Sequence, residues 1–295
     1  MLIARLIADA DGLETRLEGA GAALAKVGMS DGTQIGSKSL ADGKTIMQIS
    51  LESGEAAQLR AIIEEHLAPA AAMITERSFA PLNLFISDMD STMIEQECID
   101  ELADFAGLKD KVSDITERAM QGELDFESAL RERVGLLAGL PERAIADCLE
   151  KRISPMPGAR TLVQTLKAKG CRAVLVTGGF HHFADAIAEQ LGFDRVVGNR
   201  LEVVDGKLTG GLKGAIADSA TKLAVLLEEE AKLSTGVTLA TGDGANDIPM
   251  LQAANYGFAY KAKPKAREAA SGWVDNRNLT AILELLDVPI SDWVD

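Results

Sequence analysis

The eleven residues 82–92, Leu-Asn-Leu-Phe-Ile-Ser-Asp-Met-Asp-Ser-Thr, decide the fold of this chain. They form a short apolar run that ends in acidic and hydroxyl side chains. Such a run is typical of a buried parallel strand, which is apolar on both faces. Two later strand-like runs also end in polar residues, since 172–177 leads into Gly178-Gly179 and 237–241 leads into Gly242-Asp243-Gly244-Ala245-Asn246-Asp247. Ligands bind beyond the carboxyl ends of parallel strands, so we expect these three exits to form one site.

Strand and helix patterns alternate along the chain from Gly158 onward. We predict, in order, helix 158–169, strand 172–177, helix 181–191, strand 195–198, a hairpin turning at Asp205-Gly206, helix 219–232, strand 237–241, helix 245–254, strand 256–260 and helical segments to the end. This alternation calls for an α/β fold, a doubly wound parallel sheet with helices on both faces. Between residues 95 and 153, apolar residues at helical spacing predict four short amphipathic helices, which form an insertion after the first polar exit.

Residues 1–80 form a separate predicted unit. Strand, helix, hairpin, helix and strand follow one another there, with the hairpin around Asp42-Gly43. This order, βαββαβ, is that of ferredoxin-like modules. Asp9 and Asp11 repeat the Asp-x-Asp spacing, but the following Gly12-Leu13-Glu14 indicates a turn and a helix start. The unit shows no catalytic set, which leaves packing, dimerisation and ligand sensing as its candidate roles.

The charge balance of the chain limits the classes of molecule that it can bind. The 295 residues include 30 Lys and Arg against 45 Asp and Glu, a formal net charge of -15. Nucleic acid and anionic membranes need a basic face, so we expect neither as a partner. Three scattered cysteines without a CxxC pair, with three histidines, provide no zinc framework and fit a reducing compartment. The sequence has no apolar run of about 18 residues, and its early Asp9 is wrong for a signal peptide, so we expect a cytoplasmic protein.

The chemistry that these polar groups support is phosphoryl transfer with a hard metal ion. Several carboxylates without Cys or His ligands favour Mg²⁺, which binds one or two carboxylates plus substrate phosphate. A hydroxyl followed by two glycines, as at Thr177, can donate hydrogen bonds to phosphate oxygens. A carboxylate beside phosphate can attack it, and a second one two residues on can act as general acid and base. Each motif alone has a structural alternative: Asp88 and Asp90 as a chance pair, Thr177 as a strand-end hydroxyl, and 242–247 as a helix-capping turn.

Taken together, these residues resemble the four motifs of the haloacid dehalogenase superfamily of phosphotransferases. The four are 88–92, 177–179, Lys222 and 242–247. The chain is also similar to the phosphoserine phosphatase family within it, through Asp88–Asp100, Ile115–Val134, Val176–Phe180, Asn199–Gly210 and Gly242–Met250. The resemblance implies a HAD-like catalytic domain with a Rossmann-type core over 81–295, in which the helical insertion at about 95–155 is a cap. It further implies that residues 1–80 are an ACT-like domain.

The resemblance implies a role for each matched residue. Asp88 would be the nucleophile and a Mg²⁺ ligand, Asp90 the general acid and base with its backbone carbonyl on the metal, and Asp243 a further metal carboxylate. Phosphate would be held by Thr177, Gly178, Lys222 and Asn246, and Asp247 would orient the metal ligands from behind. In the cap, the substrate would contact Glu97, Arg133, Met120 and Phe126. Read alone, the first two fit solvated helix charges and the last two fit the core of the cap.

These assignments predict an enzyme that hydrolyses O-phospho-L-serine to L-serine and phosphate, the last step of serine biosynthesis. The reaction would run through a phospho-aspartate with Mg²⁺ as cofactor. Its partner would be this small-molecule substrate, and the N-terminal unit allows a homodimer. Two alternatives stay open at this point: a phosphatase or phosphotransferase acting on another small phosphomonoester, and a regulator that senses an amino acid.

Overall fold

The computed structural model describes residues 1–40, 42–120, 124–233 and 236–295, and the side chains of Glu117, Ala119 and Met120 lie outside the description. The strands of the described residues are β1 Leu2–Asp9, β2 Gln34–Ser39, β3 Lys44–Leu51, β4 Ala71–Thr75, β5 Leu84–Ser87, β6 Arg172–Phe180, β7 Arg195–Asn199, β8 Leu201–Val204, β9 Lys207–Leu212, β10 Thr238–Gly242, β11 Tyr256–Tyr260 and β12 Gly272–Val274. The helices are α1 Leu13–Lys26, α2 Ala56–Leu67, α3 Cys98–Phe105, α4 Lys109–Met120, α5 Phe126–Leu136, α6 Arg143–Arg152, α7 Ala159–Ala168, α8 His181–Leu191, α9 Ser219–Glu230, α10 Ile248–Ala253, α11 Pro264–Ala269 and α12 Thr280–Leu285. Short 3₁₀ turns occupy Ala245–Asp247 and Ile290–Asp292.

The C-terminal part of the sheet is parallel and has the strand order β12-β11-β10-β5-β6-β7. The middle strand β5 is buried along its whole length, as its continuous apolar run requires. It pairs in register with both neighbours, so that Ser87 lies opposite Thr241 on one side and Leu175 on the other. The residues that follow β5 and β10 therefore meet the last residues of β6 at one edge. The predicted end of that strand at residue 177 is wrong, because β6 continues to Phe180 through a shift in its pairing register with β7 between Val176 and Phe180. The predicted doubly wound α/β fold is confirmed.

The N-terminal part of the sheet is antiparallel and has the strand order β2-β3-β1-β4. Alternate residues of β3 are buried, with Met47, Ile49 and Leu51 packing into the same core as Leu59 and Ile63 of α2. The predicted element order βαββαβ is confirmed. The segment after β1 forms a turn and then the start of α1, as the sequence predicted.

A short strand near the C-terminus joins the two halves into one ten-stranded sheet within the described residues. Strand β12 pairs parallel with β11 on one side and antiparallel with β4 on the other, where Trp273 lies opposite Ala72. The prediction of helical segments to the end of the chain is therefore wrong at Gly272–Val274. A three-residue strand is too short to show a period of two, and its conformation is imposed by the two strands that flank it.

The cap consists of the four helices α3, α4, α5 and α6, which confirms the predicted helical insertion. Its apolar faces meet in a buried core that includes Ile99, Leu102, Leu130, Val134 and Ile145. The predicted hairpin at Asp205-Gly206 is also present, as a separate two-stranded sheet of β8 and β9. Within the described parts of the chain, no helix combines the length and apolar character needed to cross a membrane.

Candidate active site

A buried cluster of three carboxylates and one lysine lies where β5 and β10 end. Asp88 directly follows β5 and Asp243 directly follows β10. The two residues lie close together because neighbouring parallel strands bring their carboxyl ends to one edge of the sheet. One oxygen from each of Asp88, Asp243 and Asp247 lies within 4.8 Å of the others. Lys222 of α9 is 1% exposed, and its Nζ lies 2.7 Å from Oδ1 of Asp88 and 2.6 Å from Oδ1 of Asp247. The structure thus brings three of the four motifs into contact.

The cluster carries more negative charge than its lysine offsets. Burial and then the charge of Asp247 raise the pKa of Asp88, and Lys222 opposes this rise. Burial, followed by Asp247 and Glu97, raises the pKa of Asp243 to about 6. Burial tends to lower the pKa of Lys222, but Asp247 and Asp88 outweigh it and hold that pKa above its usual value. The surplus negative charge and the all-oxygen donor set fit a hard divalent cation.

Asp247 also holds the turn that follows β10. Its Oδ2 accepts hydrogen bonds from the backbone N–H groups of Asp243 at 3.1 Å and Gly244 at 2.9 Å. A Cβ built on Gly242 would lie 2.5 Å from Cγ of Asp247, so the turn has no room for a side chain at that position. The sequence interpretation placed Asp247 behind the metal ligands, whereas the structure places one of its oxygens within the carboxylate cluster.

Asp90 faces residues 177–179, in the irregular last part of β6. Its Oδ1 accepts a hydrogen bond from the backbone N–H of Cys98 at 3.1 Å. Burial and then the charge of Glu97 raise the pKa of Asp90 to about 7, and the Cys98 bonds oppose the rise. A Cβ built on Gly179 would lie 2.5 Å from Oδ2 of Asp90 and 3.1 Å from Oγ1 of Thr177. The absent side chain at Gly179 therefore lets the Asp90 carboxylate and the Thr177 hydroxyl approach each other.

Asn199, which the sequence interpretation did not include among the site residues, links Gly178 in the last part of β6 to the segment before α9. Its Nδ2 donates to the carbonyl oxygen of Gly178 at 2.7 Å, and its Oδ1 accepts from the N–H of Ala217 at 2.8 Å. Asn199 is 2% exposed, and Ala217 lies just before the helix that carries Lys222. A signal existed in the sequence, since Asn199 follows the next predicted strand at the same sheet edge.

Glu97 lies at the N-terminus of α3, six residues after Ser91. It is half-buried, and its Oε1 accepts a hydrogen bond from Oγ of Ser91 at 2.7 Å. Its charge contributes to the raised pKa values of both Asp90 and Asp243. A cation placed among these three carboxylates would be stabilised by all of them.

Arg133 lies near the C-terminal end of α5 and is half-buried. Its Nε donates to the carbonyl oxygen of Ala129 at 3.3 Å, and none of the described carboxylates lies within ion-pairing distance of it. Burial, followed by Glu97, raises the pKa of Asp100, and the Arg133 charge opposes this rise. Oδ1 of Asp100 is buried without a hydrogen-bond partner among the described residues, a feature that the sequence interpretation did not anticipate.

Phe126 lies between the cap and residues 177–179, which are called the phosphate loop below because the family resemblance assigns them to phosphate binding. A Cβ built on Gly178 would lie 3.2 Å from Cζ of Phe126, so the ring lies over that glycine. A cavity of about 810 Å³ opens beside it, with Asn246 in its wall. Phe126 is 38% exposed, more than a core residue of the cap would be. Its partner in the prediction, Met120, has a side chain outside the described residues.

A comparison with known families decides the family of this chain. Haloacid dehalogenase-like hydrolases match residues 85–252, more than half of its length. The chain belongs to the haloacid dehalogenase-like hydrolase family. The matched range begins in β5, contains the whole cap and ends in α10, so it includes the carboxylate cluster and Lys222.

Individual members of the haloacid dehalogenase-like family are similar to the chain in sequence and in structure. A phosphoserine phosphatase from Lactococcus lactis is 48% identical over 210 residues, which cover 70% of this chain and 97% of the relative. The unliganded structure of a probable phosphoserine phosphatase from Vibrio cholerae is 30% identical, with a TM-score of 0.72 and coverage of 99% of this chain and 87% of that one. A HAD family hydrolase from Salmonella enterica serovar Typhi is 26% identical, with a TM-score of 0.83 and coverage of 98% and 100%.

Proposed function

We propose that the chain is a Mg²⁺-dependent phosphatase that hydrolyses O-phospho-L-serine to L-serine and phosphate, the last step of serine biosynthesis. Its similarity to the Lactococcus lactis phosphoserine phosphatase supports this substrate. The observation that carries the proposal is the pairing of buried Lys222 with Asp88 inside the carboxylate cluster. A protein of net charge -15 repels a phosphate dianion, so cations must be placed locally to bind one.

At the phosphoryl end, Asp88 attacks phosphorus through a carboxylate oxygen. The bond from phosphorus to the serine oxygen breaks, an aspartyl-phosphate forms on Asp88, and Asp90 gives its proton to the serine oxygen. Asp90 then accepts a proton from the water that attacks phosphorus, which releases phosphate and restores the Asp88 carboxylate. The phosphoryl oxygens are held throughout by Thr177, Gly178, Lys222 and Asn246.

Asp88, Asp243 and the backbone carbonyl of Asp90 would hold the metal ion, and Asp247 would orient the site. Mg²⁺ suits this set because it prefers oxygen ligands and keeps positions open for substrate phosphate. When bound, the ion supplies positive charge against the phosphoryl oxygens.

At the amino-acid end, the cap recognises the two charged groups that distinguish phosphoserine from other phosphate esters. Arg133 has no acidic partner among the described residues, which leaves its guanidinium available to a carboxylate. Glu97 accepts hydrogen bonds from the ammonium group, and Phe126 provides an apolar wall. A phosphate ester that lacks the carboxylate and the ammonium group makes neither of these charged contacts with Arg133 and Glu97.

A substrate panel tests this function. We expect phosphate release from phosphoserine to exceed release from phosphothreonine and glycerol phosphate in the presence of Mg²⁺, and to stop with EDTA. Asp88→Asn removes the nucleophile but keeps the shape of the side chain, so turnover should be abolished while the circular dichroism spectrum is unchanged. Arg133→Ala should reduce activity on phosphoserine more than on para-nitrophenyl phosphate. Substantial turnover by Asp88→Asn, or equal rates across the panel, would contradict the proposal.

The division of the chain and its assembly are further proposals. We infer an ACT-like domain over 1–80 and a catalytic domain over 81–295 with its cap at about 95–155, in a cytoplasmic homodimer without nucleic-acid or membrane partners. Support for pairing comes from β2, a sheet edge whose six residues are all exposed. Light scattering at micromolar concentration tests the assembly: the mass of two chains is expected, and the mass of one chain would refute it.

A further inference from the structure

The hairpin of β8 and β9, residues 201–212, is bound to the cap although it is far from the cap in sequence. Three backbone hydrogen bonds of 2.8 to 2.9 Å join it to segment 139–142, between α5 and α6. Leu201 and Leu208 are buried in the same core as the cap helices. The hairpin and the cap therefore form one packed unit.

Gly210 of this hairpin lies directly against the end of α5. A Cβ built on Gly210 would lie 2.9 Å from Cβ of Ala138, 3.1 Å from the carbonyl oxygen of Gly135 and 3.3 Å from Cα of Gly135. Contacts this short leave no space for a side chain. The backbone of β9 thus sets how far the last turn of α5 can lie from the hairpin.

Helix α5 carries two of the residues assigned to substrate recognition. Phe126 at its first position lies over Gly178 of the phosphate loop, and Arg133 lies two residues before Gly135. This eleven-residue helix has no proline to kink it, so a displacement of its last turn is passed along the helix. A shift of its last turn away from Gly210 therefore moves the Arg133 guanidinium relative to the phosphate loop.

The base of the hairpin is fixed to that same phosphate loop. The N–H of Lys213 donates to the carbonyl oxygen of Arg200 at 2.8 Å, which closes the base. Asn199, the residue before Arg200, bonds to Gly178 at 2.7 Å. One continuous stretch of chain, 199–213, thus runs from the phosphate loop to the helix that carries Arg133.

We propose that the hairpin 201–212 is a specificity element, and that Gly210 is a positioning residue that sets the distance between Arg133 and the phosphate loop. The inference rests on the proposed function, because it takes Arg133 to bind the carboxylate of phosphoserine. A substrate with a carboxylate must span that distance, whereas an aryl phosphate needs only the phosphate end of the site. The hairpin therefore selects for the length of the amino-acid substrate.

The test compares Gly210→Ala with Gly206→Ala in the full-length chain. Both glycines have a positive φ, +83° and +70°, but a Cβ on Gly206 meets nothing within 4 Å. The control thus has similar backbone strain without the displacement. For Gly210→Ala we expect KM for phosphoserine to rise about tenfold, since small misplacements of binding groups cost up to a hundredfold. The kcat/KM for para-nitrophenyl phosphate should stay within about twofold in both variants.

Two further measurements keep the result interpretable. Adding Ala138→Gly to Gly210→Ala removes the shortest contact, so KM for phosphoserine should fall back toward the wild-type value. Hydrogen exchange of the α5 amides should quicken in Gly210→Ala and not in Gly206→Ala, because only the first displaces that helix.

The outcomes separate the two proposals. Equal losses on both substrates, equal effects of the two glycine variants, or unchanged exchange in α5 of Gly210→Ala would overturn the role of the hairpin. If the wild-type chain fails to hydrolyse phosphoserine, the proposed function is wrong. The exchange of α5 then still decides whether Gly210 positions that helix.

Discussion

Arg60 links α2 of the N-terminal part to α11 and β12 of the C-terminal part. Its removal should make local opening of this junction, formed by α2, α11 and β12, more favourable. It lies on α2, and its guanidinium donates to the carbonyl oxygens of Arg267 at 2.6 Å, Ala270 at 3.0 Å and Glu268 at 3.1 Å. These carbonyls form the C-terminal end of α11, where the helix dipole favours a cation. The Arg60 guanidinium also lies 4.3 Å from the centre of the Trp273 ring in β12.

The magnitude of the effect follows from these contacts. Each of the three hydrogen bonds contributes about 1 kcal/mol net, and the cation–π contact adds about 0.5–1 kcal/mol. Water can reach part of the freed surface, since the Arg60 side chain is 17% exposed. We therefore expect Arg60→Ala to lower the free energy of opening at the junction by about 3 kcal/mol, or about a hundredfold in the opening equilibrium.

Hydrogen exchange measures this directly, because it reports local opening of β12 and α11. Arg16→Ala is the matched control: Arg16 of α1 also bonds to three carbonyl oxygens, those of Asp9, Asp11 and Leu67, but all lie within the N-terminal part. Exchange at 264–274 should rise about a hundredfold in Arg60→Ala and stay near wild type in Arg16→Ala. A rise below about fivefold in Arg60→Ala, or an equal rise in both variants, would refute the reasoning.

Two further predictions concern the site and the stability of the core. Gly179→Ala places a Cβ 2.5 Å from Oδ2 of Asp90, so kcat should fall at least about tenfold, measured by phosphate release; an unchanged kcat would contradict the close approach. Glu229 is 1% exposed; burial raises its pKa, but hydrogen bonds from Lys232, Arg172 and Arg195 lower it to about 2 from 4.5. A lowered folded-state pKa stabilises the protein above about pH 4.5, by at most about 3 kcal/mol, and this is lost as the pH falls toward 2. In urea unfolding, Glu229→Gln should therefore have a lower free energy of unfolding than the wild type at pH 7, and the difference should be smaller at pH 3. A difference that does not change with pH would contradict this prediction.

The elements with a clear period were predictable, and the short ones were not. Buried strands such as β5 and the amphipathic cap helices are encoded locally, in apolar runs and helical spacing. Strand β12 carries no such pattern in its three residues, and its extended conformation is held by its pairing with β11 on one side and β4 on the other. The fusion of the two sheets therefore had no signature in the sequence of the strand that makes it.

The predicted site residues also divide into those that could be recognised from the sequence and those whose contacts required the tertiary structure. Asp88 and Asp243 could be named from their motifs, because each motif follows a predicted strand, whereas Lys222 was named through the resemblance to the haloacid dehalogenase superfamily. The pairing of Lys222 with both Asp88 and Asp247 needed the fold, since these residues come from three different segments. Asn199 was missed because its role depends on two backbone groups far from it in sequence.

The sequence by itself predicted the parallel sheet and the helical insertion, because these follow from local periodicity. It also marked Asp88, Asp90 and Asp243 as candidate site residues, because they follow predicted strands. Only the tertiary structure decided the ten-stranded sheet, the place of Asp247 in the carboxylate cluster and the contact of Gly210 with α5. These three features share one physical reason. Each is a close contact between segments distant in the chain, and packing of that kind is specified by the shapes of both partners rather than by either one.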